Sequence, residues 1–247
     1  MNRRSFLSLG AAGLCGLASS RAFAQAPSQA QAPVQTAGDD IPIGKSRLGI
    51  ADDFRDGTIY VPASYRKGVP MPILVMLHGY SGDAESVRYT FPLAEEHGVI
   101  VLAPESRDVT WGMESPGFDT DSKFIGMAFR WVADVLTIDR TRMAMGGVSD
   151  GANYALNMGL AYGDTFNNLM IFSAGTLATF RRQGKPRIFL AHGTQDRAMP
   201  IDRTGRRFAA ELKDQQYDLT YREYEGPHGA PLGVVTEAFE WFVPRKG

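Results

Sequence analysis

The chain has 247 residues, 44% of them hydrophobic, and its 26 basic side chains nearly balance its 27 acidic ones. This composition is typical of a folded globular protein. Because no basic stripe runs along the chain, we expect no nucleic-acid partner. The single cysteine, Cys15, excludes a fold stabilised by disulfides.

The N-terminal segment has the features of an export signal. Arg3-Arg4-Ser5-Phe6-Leu7 is a twin-arginine pattern, an apolar run covers residues 6–19, and Ala22-Phe23-Ala24 is a cleavage site for a signal peptidase. We predict a signal peptide over residues 1–24 and a periplasmic or secreted mature protein. The general secretory route is the alternative. The apolar run is too short to span a bilayer, so we expect no stable membrane anchor.

The mature chain divides into a spacer and one domain. Residues 25–45 begin with a stretch rich in Gln, Ala and Pro, which predicts a disordered spacer. Removing the three arginines of residues 1–24 leaves 23 basic and 27 acidic residues, a net charge of −4. Residues 46–247 have the length of one α/β domain.

Strand and helix patterns alternate along this domain. The predicted strands are 58–61, 73–77, 99–103, 143–148, 168–172, 187–191 and 218–223. The predicted helices are 83–97, 119–137, 152–162, 203–212 and 234–242. This alternation is typical of an α/β fold with a doubly wound, mostly parallel sheet and helices on both faces. No insertion is long enough for a separate lid domain.

The segment Gly147-Val148-Ser149-Asp150-Gly151 carries the strongest chemical signal. It lies between a predicted strand and a predicted helix, the context in which a G-x-S-x-G turn presents a nucleophilic serine. Glycines two positions on either side relieve the crowding of such a turn. The alternative is that Ser149 only caps the helix.

A serine nucleophile in this context is followed along the chain by an acid and then a histidine. His228 follows the last predicted strand, in the turn-rich stretch Glu225-Gly226-Pro227-His228-Gly229, and the alternative is a surface-loop histidine. Asp196 lies in the loop that leaves strand 187–191. Asp202 is the second candidate for the acid, although a place before helix 203–212 predicts a helix cap instead.

Backbone amides and apolar side chains complete the predicted site. An oxyanion hole needs amides from two places, which we assign to Tyr80, after strand 73–77, and to Asp150. Trp111, Met113 and Phe118 lie in the long loop 104–118. They either line the acyl pocket or pack beneath this loop.

The sequence resembles the phospholipase/carboxylesterase branch of the α/β-hydrolases over about residues 56–243. The matching segments are Leu77-His78-Gly79, Gly147-Val148-Ser149-Asp150-Gly151-Ala152, Ala191-His192-Gly193-Thr194-Gln195-Asp196 and Gly226-Pro227-His228. The resemblance implies a catalytic triad of Ser149, Asp196 and His228 that acts on carboxylic esters without a cofactor. Asp150 departs from the pattern, because relatives often carry Gln there.

We therefore expect an exported serine esterase that acts on a small-molecule ester. A polyester depolymerase or a feruloyl-type esterase would use the same core. A non-catalytic binding protein on a hydrolase scaffold is the alternative from another class. The dispersed histidines predict no metal site, and the absence of G-x-G-x-x-G after a strand predicts no dinucleotide site. No feature of the sequence distinguishes a monomer from an oligomer.

Overall fold

The computed structural model describes residues 41–51, 55–112, 120–178 and 182–245. These residues form an eight-stranded sheet, five α-helices and two 3-10 helices. The strands are β1 (Gly44–Arg47), β2 (Gly57–Val61), β3 (Met71–Leu77), β4 (Ile100–Pro104), β5 (Ile138–Val148), β6 (Asn168–Phe172), β7 (Arg187–Gly193) and β8 (Leu219–Tyr224). The helices are α1 (Phe91–His97), α2 (Thr120–Val135), α3 (Asp150–Ala161), α4 (Gly205–Asp214) and α5 (Leu232–Phe242), with 3-10 helices at Ala84–Thr90 and Ile201–Arg203.

The sheet has the strand order β1-β2-β4-β3-β5-β6-β7-β8. β1 and β2 run antiparallel to their neighbours, whereas β4, β3, β5, β6, β7 and β8 are parallel to one another. The carboxyl ends of these six strands therefore meet at one edge of the sheet. In open sheets of this kind, the loops at that edge carry the functional site.

β3 shows why the centre of the sheet is buried on both faces. Its side chains alternate, so Ile73, Val75 and Leu77 pack on one face while Leu74 and Met76 pack on the other, and all five are fully buried. Burial of one such side chain contributes about 1.5–3 kcal/mol. A continuous apolar run is what a strand between two helical layers requires.

The helices form one layer on each face of the sheet. α2, α3 and α4 pack on the face of Ile73, and α1 and α5 pack on the face of Leu74. The predicted fold class is confirmed by this mostly parallel, doubly wound arrangement. No insertion among the described residues forms a second domain beside the sheet. No helix among them combines the length and apolar character that a membrane span requires.

Three parts of the chain differ from the prediction by more than two residues. The folded part includes residues 41–45, which we assigned to the spacer, because Ile41 is buried and β1 begins at Gly44. β5 begins at Ile138 rather than at residue 143, since its first half is polar and half-exposed and gives no apolar signal. The predicted helix 83–97 is a 3-10 helix followed by α1, because Pro92 has no N–H to continue the hydrogen-bond ladder.

Candidate active site

Ser149 lies alone in the turn between β5 and α3. Its backbone has φ 58° and ψ −116°, a conformation that costs a non-glycine residue about 1–3 kcal/mol. The Ser149 N–H donates to the carbonyl oxygen of Phe172 at 3.0 Å, which holds the turn against β6. The Ser149 side chain makes no capping hydrogen bond to α3, so the helix-cap alternative does not describe it.

The glycines on either side of Ser149 are sterically required. A Cβ at Gly147 would lie 2.4 Å from the backbone of Gly151, and a Cβ at Gly151 would lie 2.3 Å from the carbonyl oxygen of His78. Both distances are far below van der Waals contact. The close approach of α3 to the end of β3 therefore depends on these two residues.

Ser149, His228 and Asp196 form one hydrogen-bonded series. The Ser149 Oγ atom lies 2.8 Å from His228 Nε2, and His228 Nδ1 lies 2.7 Å from Asp196 Oδ2. A carboxylate only accepts, so the hydrogen of the neutral imidazole is on Nδ1. Nε2 is then free to accept the hydrogen of the serine hydroxyl. The arrangement can activate a serine nucleophile.

The Asp196 side chain is fully buried in the loop after β7. Burial alone would raise the pKa of this carboxyl, but three contacts oppose it. Met199 N–H donates to Oδ1 at 2.7 Å, His228 pairs with Oδ2, and His192 Nε2 lies 3.1 Å from the same Oδ2, so the pKa of Asp196 lies below its usual value. The carboxylate therefore stays charged well into the acidic range.

This lowered pKa predicts how the stability of the protein responds to acid. Because the pKa of Asp196 is lowered by folding, its stabilising effect is present above the usual carboxyl range and is lost only as the pH falls through the lowered value. The free energy of unfolding of the wild type should therefore exceed that of Asp196→Asn at neutral pH, and the difference should shrink as the pH falls from the usual carboxyl range to the lowered value. Chemical unfolding monitored by circular dichroism at a series of pH values measures this difference. A difference that already disappears above the usual carboxyl range would contradict the lowered pKa.

Two side chains that sequence reasoning missed hold the loop of His228. Tyr224 OH donates to the Gly229 carbonyl at 2.7 Å, and the same carbonyl accepts from Ser173 Oγ at 2.9 Å. Ser173 Oγ also accepts from Gly229 N–H at 3.2 Å. Both side chains are buried, and burial raises the pKa of Tyr224. No sequence signal points to Ser173, because its contacts with Tyr224 and Gly229 join residues 51 and 56 positions apart.

The residues predicted for the oxyanion hole lie on the loops beside Ser149. Tyr80 follows Gly79, and a Cβ at Gly79 would lie 3.6 Å from Ser149 Cβ, so this loop passes directly over the serine. Asp150 is the first residue of α3. Within the described residues, neither the Tyr80 amide nor the Asp150 amide donates a hydrogen bond.

Buried contacts of His78 shape this loop. Its Nδ1 atom lies 2.8 Å from the Gly79 carbonyl oxygen, and its Nε2 atom accepts from Ser106 N–H at 3.1 Å. Desolvation is the main reason that the pKa of His78 is lowered. The ring thus links the loop after β3 to the loop after β4.

The Asp150 side chain joins the start of α3 to the loop after β4. Its Oδ2 atom accepts from Thr110 Oγ1 at 2.7 Å and from Trp111 N–H at 3.1 Å. The residue after Ser149 thus anchors the loop that follows β4. A carboxylate is also stabilised at the N-terminus of α3 by the helix dipole.

One residue predicted for the acyl pocket lies elsewhere. Trp111 is only 2% exposed, its Nε1 donates to the His78 carbonyl at 2.9 Å, and its ring packs against Tyr154 at a centroid distance of 5.5 Å. It therefore packs beneath the loop rather than lining an open pocket. Met113 and Phe118 lie outside the described residues.

Solved structures of esterases and serine hydrolases share this architecture. Propionate-bound Est2, an esterase from Thermogutta terrifontis, matches with a TM-score of 0.65 and 18% identity over 83% of this chain and 97% of that one. The fold is that of the α/β-hydrolases. Two Staphylococcus aureus proteins, the substrate-bound serine hydrolase FphF at 18% identity and the S-formylglutathione hydrolase FrmB at 17%, each match with a TM-score of 0.60 over 75% of this chain and 91% of theirs. No family model matches the chain, and a comparison with curated proteins likewise finds no match.

The second candidate for the acid, Asp202, lies away from His228. Asp202 lies in the 3-10 helix before α4, and its side chain is 77% exposed and paired with Arg206 at 2.7 Å. The prediction that it caps α4 is wrong, because Thr204 occupies that position and the chain enters α4 through the 3-10 helix. Asp196, not Asp202, is the carboxylate in contact with His228.

The described residues contain no group of three His, Cys, Asp or Glu side chains arranged to hold a metal ion.

Proposed function

We propose that this protein is an exported serine esterase that hydrolyses carboxylic esters through an acyl-enzyme on Ser149. The observation that carries this proposal is the hydrogen-bonded series from Ser149 through His228 to Asp196, which begins at a strained, half-buried turn. The similarity in fold to esterases and serine hydrolases supports it. The site needs no cofactor for this reaction.

In the acylation step, Ser149 Oγ attacks the ester carbonyl carbon while His228 Nε2 takes the hydroxyl hydrogen. The carboxylate of Asp196 stabilises the imidazolium that forms. The tetrahedral intermediate then expels the alcohol, whose oxygen receives the hydrogen from His228. In the second step, a water molecule activated by His228 releases the carboxylic acid and restores Ser149.

The amides of Tyr80 and Asp150 stabilise the negative oxygen of the tetrahedral intermediate. Both lie beside Ser149 and make no hydrogen bond of their own within the described part of the chain. A donor of this kind is typically worth about 100- to 1,000-fold in kcat. The Asp150 carboxylate is turned toward Thr110 and Trp111, whose hydrogen bonds to its Oδ2 partly offset its charge.

We further propose a preference for short acyl groups. The Est2 esterase has been solved with propionate and with butyrate bound, and it shares this fold over most of its length. A matching site here would accept acetyl to butyryl esters. Feruloyl esters and polyesters are the competing substrates on the same core.

A screen of the mature protein tests both parts of this proposal. We expect the highest kcat/KM with p-nitrophenyl acetate, propionate or butyrate, and low values with p-nitrophenyl palmitate, methyl ferulate and a polyester film. A preference for methyl ferulate or the polyester would overturn the short-acyl assignment. Absence of any ester hydrolysis, with Ser149 unreactive toward a fluorophosphonate, would overturn the esterase.

We propose export by the twin-arginine route, on the basis of Arg3-Arg4-Ser5-Phe6-Leu7 and Ala22-Phe23-Ala24. Replacement of both Arg3 and Arg4 by Lys should leave the uncleaved precursor in the cytoplasm. Cell fractionation and N-terminal sequencing of the product would show this. Appearance of the usual amount of mature protein, beginning at Gln25, would instead indicate the general secretory route.

A further inference from the structure

A second histidine lies against the carboxylate of Asp196. His192 is in the last part of β7, four residues before Asp196, and its side chain is fully buried. Its Nε2 atom lies 2.7 Å from the Met199 carbonyl oxygen and 3.1 Å from Asp196 Oδ2. The mechanism proposed above does not use this ring.

The surroundings of His192 determine where its hydrogen lies. The Met199 carbonyl oxygen can only accept, so Nε2 carries a hydrogen and donates it. The Nδ1 atom is buried and has no hydrogen-bond partner among the described residues. A hydrogen on Nδ1 would be buried without an acceptor, which is costly. The ring therefore presents its Nε2–H edge to Met199 and Asp196.

The contacts of His192 continue through the turn to the site. His192 donates to the Met199 carbonyl, and the Met199 N–H donates to Asp196 Oδ1 at 2.7 Å. The other oxygen of Asp196 faces His228 Nδ1 at 2.7 Å. His192 thus fixes the turn from Asp196 to Met199, and the Met199 N–H in this turn fixes the Asp196 carboxylate. Thr204 Oγ1 adds a weaker contact to the same Met199 carbonyl at 3.2 Å.

Packing fixes the His192 ring in this position. Gly205, the first residue of α4, lies directly against it. A Cβ at Gly205 would lie 2.8 Å from His192 Cβ and 3.0 Å from its Nδ1. A methyl group at Gly205 would displace the His192 ring, so only a glycine allows α4 to pack this closely against it.

We propose that His192 is a positioning residue, which holds the Asp196 carboxylate in the orientation that keeps Oδ2 on His228. This inference rests on the proposed function for its catalytic consequence. Without the Nε2–H of His192, the turn to Met199 loses its anchor and the carboxylate can rotate about its side-chain bonds. Displacement of a catalytic group by about 1 Å can cost about 100-fold in rate.

Three substitutions separate positioning from stability. His192→Leu removes the hydrogen-bond donor. His192→Gln keeps it, because a Gln side-chain amide can place an N–H near the position of Nε2. His97→Leu is the matched control. His97 is also buried, its Nδ1 lies 2.7 Å from the Val243 carbonyl oxygen, and its Nε2 has no hydrogen-bond partner among the described residues.

We expect His192→Leu to lower kcat for p-nitrophenyl acetate about 10- to 100-fold with little change in KM, whereas His192→Gln retains most of the activity. His97→Leu should lose a similar amount of thermal stability and keep the wild-type kcat. The downfield proton NMR signal of the His228 Nδ1 hydrogen reports its contact with Asp196 without turnover. This NMR signal should weaken in His192→Leu and stay unchanged in His192→Gln and His97→Leu.

A wild-type kcat and an unchanged downfield signal in His192→Leu would overturn the inference. If His192→Leu does not fold, Gly205→Ala takes its place, because its methyl group displaces the imidazole without removing it, and the same loss of kcat is expected. A wild-type protein that hydrolyses no ester would instead overturn the proposed function. The NMR comparison would then still decide whether His192 positions Asp196.

Discussion

Replacement of Ser149 by Ala should lower ester hydrolysis by roughly four orders of magnitude or more and leave the protein folded. The Oγ atom is the proposed nucleophile, and the structure gives it one hydrogen bond, to His228 Nε2 at 2.8 Å. Its removal therefore deletes the reacting atom and disturbs little else. The backbone at this position is strained for Ser and for Ala alike, since both have a Cβ.

Kinetics on p-nitrophenyl acetate and labelling by a fluorophosphonate together test this expectation. Wild-type protein should gain one label on the peptide that contains Ser149, and Ser149→Ala should gain none. Gln216→Ala is a suitable control, because Gln216 also has positive φ, at 60°, and lies at the end of α4. If Ser149→Ala retains turnover and labelling, the nucleophile is another residue.

Replacement of Asp196 by Asn should lower kcat by up to about 10⁴-fold with little change in KM. The amide of Asn can still accept from Met199 N–H through its oxygen, so the turn is retained. Its nitrogen would then face His228 Nδ1 as a donor. The His228 imidazole must then carry its hydrogen on Nε2, so Nε2 can no longer accept the hydroxyl hydrogen of Ser149.

The comparison with Asp202→Ala makes this prediction specific. The Asp202 carboxylate pairs with Arg206 at the surface, and Arg206 is also held by Glu223 at 2.8 Å. Its loss should leave kcat at the wild-type value and change the melting temperature little. The reverse pattern, with Asp202→Ala inactive and Asp196→Asn active, would show that Asp202 supplies the acid.

The sequence by itself determined the features that depend on neighbouring residues. Apolar runs such as 73–77 and 168–172 predict buried strands, because a strand between two helical layers must be apolar on both faces. The turn around Ser149 is recognisable because its glycines lie two positions from the serine, so the requirement for small residues is local. The chain order serine, acid, histidine selected His228, and the position of Asp196 after a predicted strand ranked it before Asp202, which a helix start could explain.

Only the tertiary structure decided the features that depend on contacts between distant segments. Whether Asp196 or Asp202 faces His228 is set by the path of the chain after β7, and both positions fit the sequence pattern. The burial of Trp111 follows from contacts with His78 and Tyr154 that no local pattern encodes. The roles of Ser173 and Tyr224 likewise depend on the pairing of loops at one edge of the sheet. Hydrogen bonds and packing between such segments form only when the sheet is assembled, so local propensity and periodicity contain no signal for them.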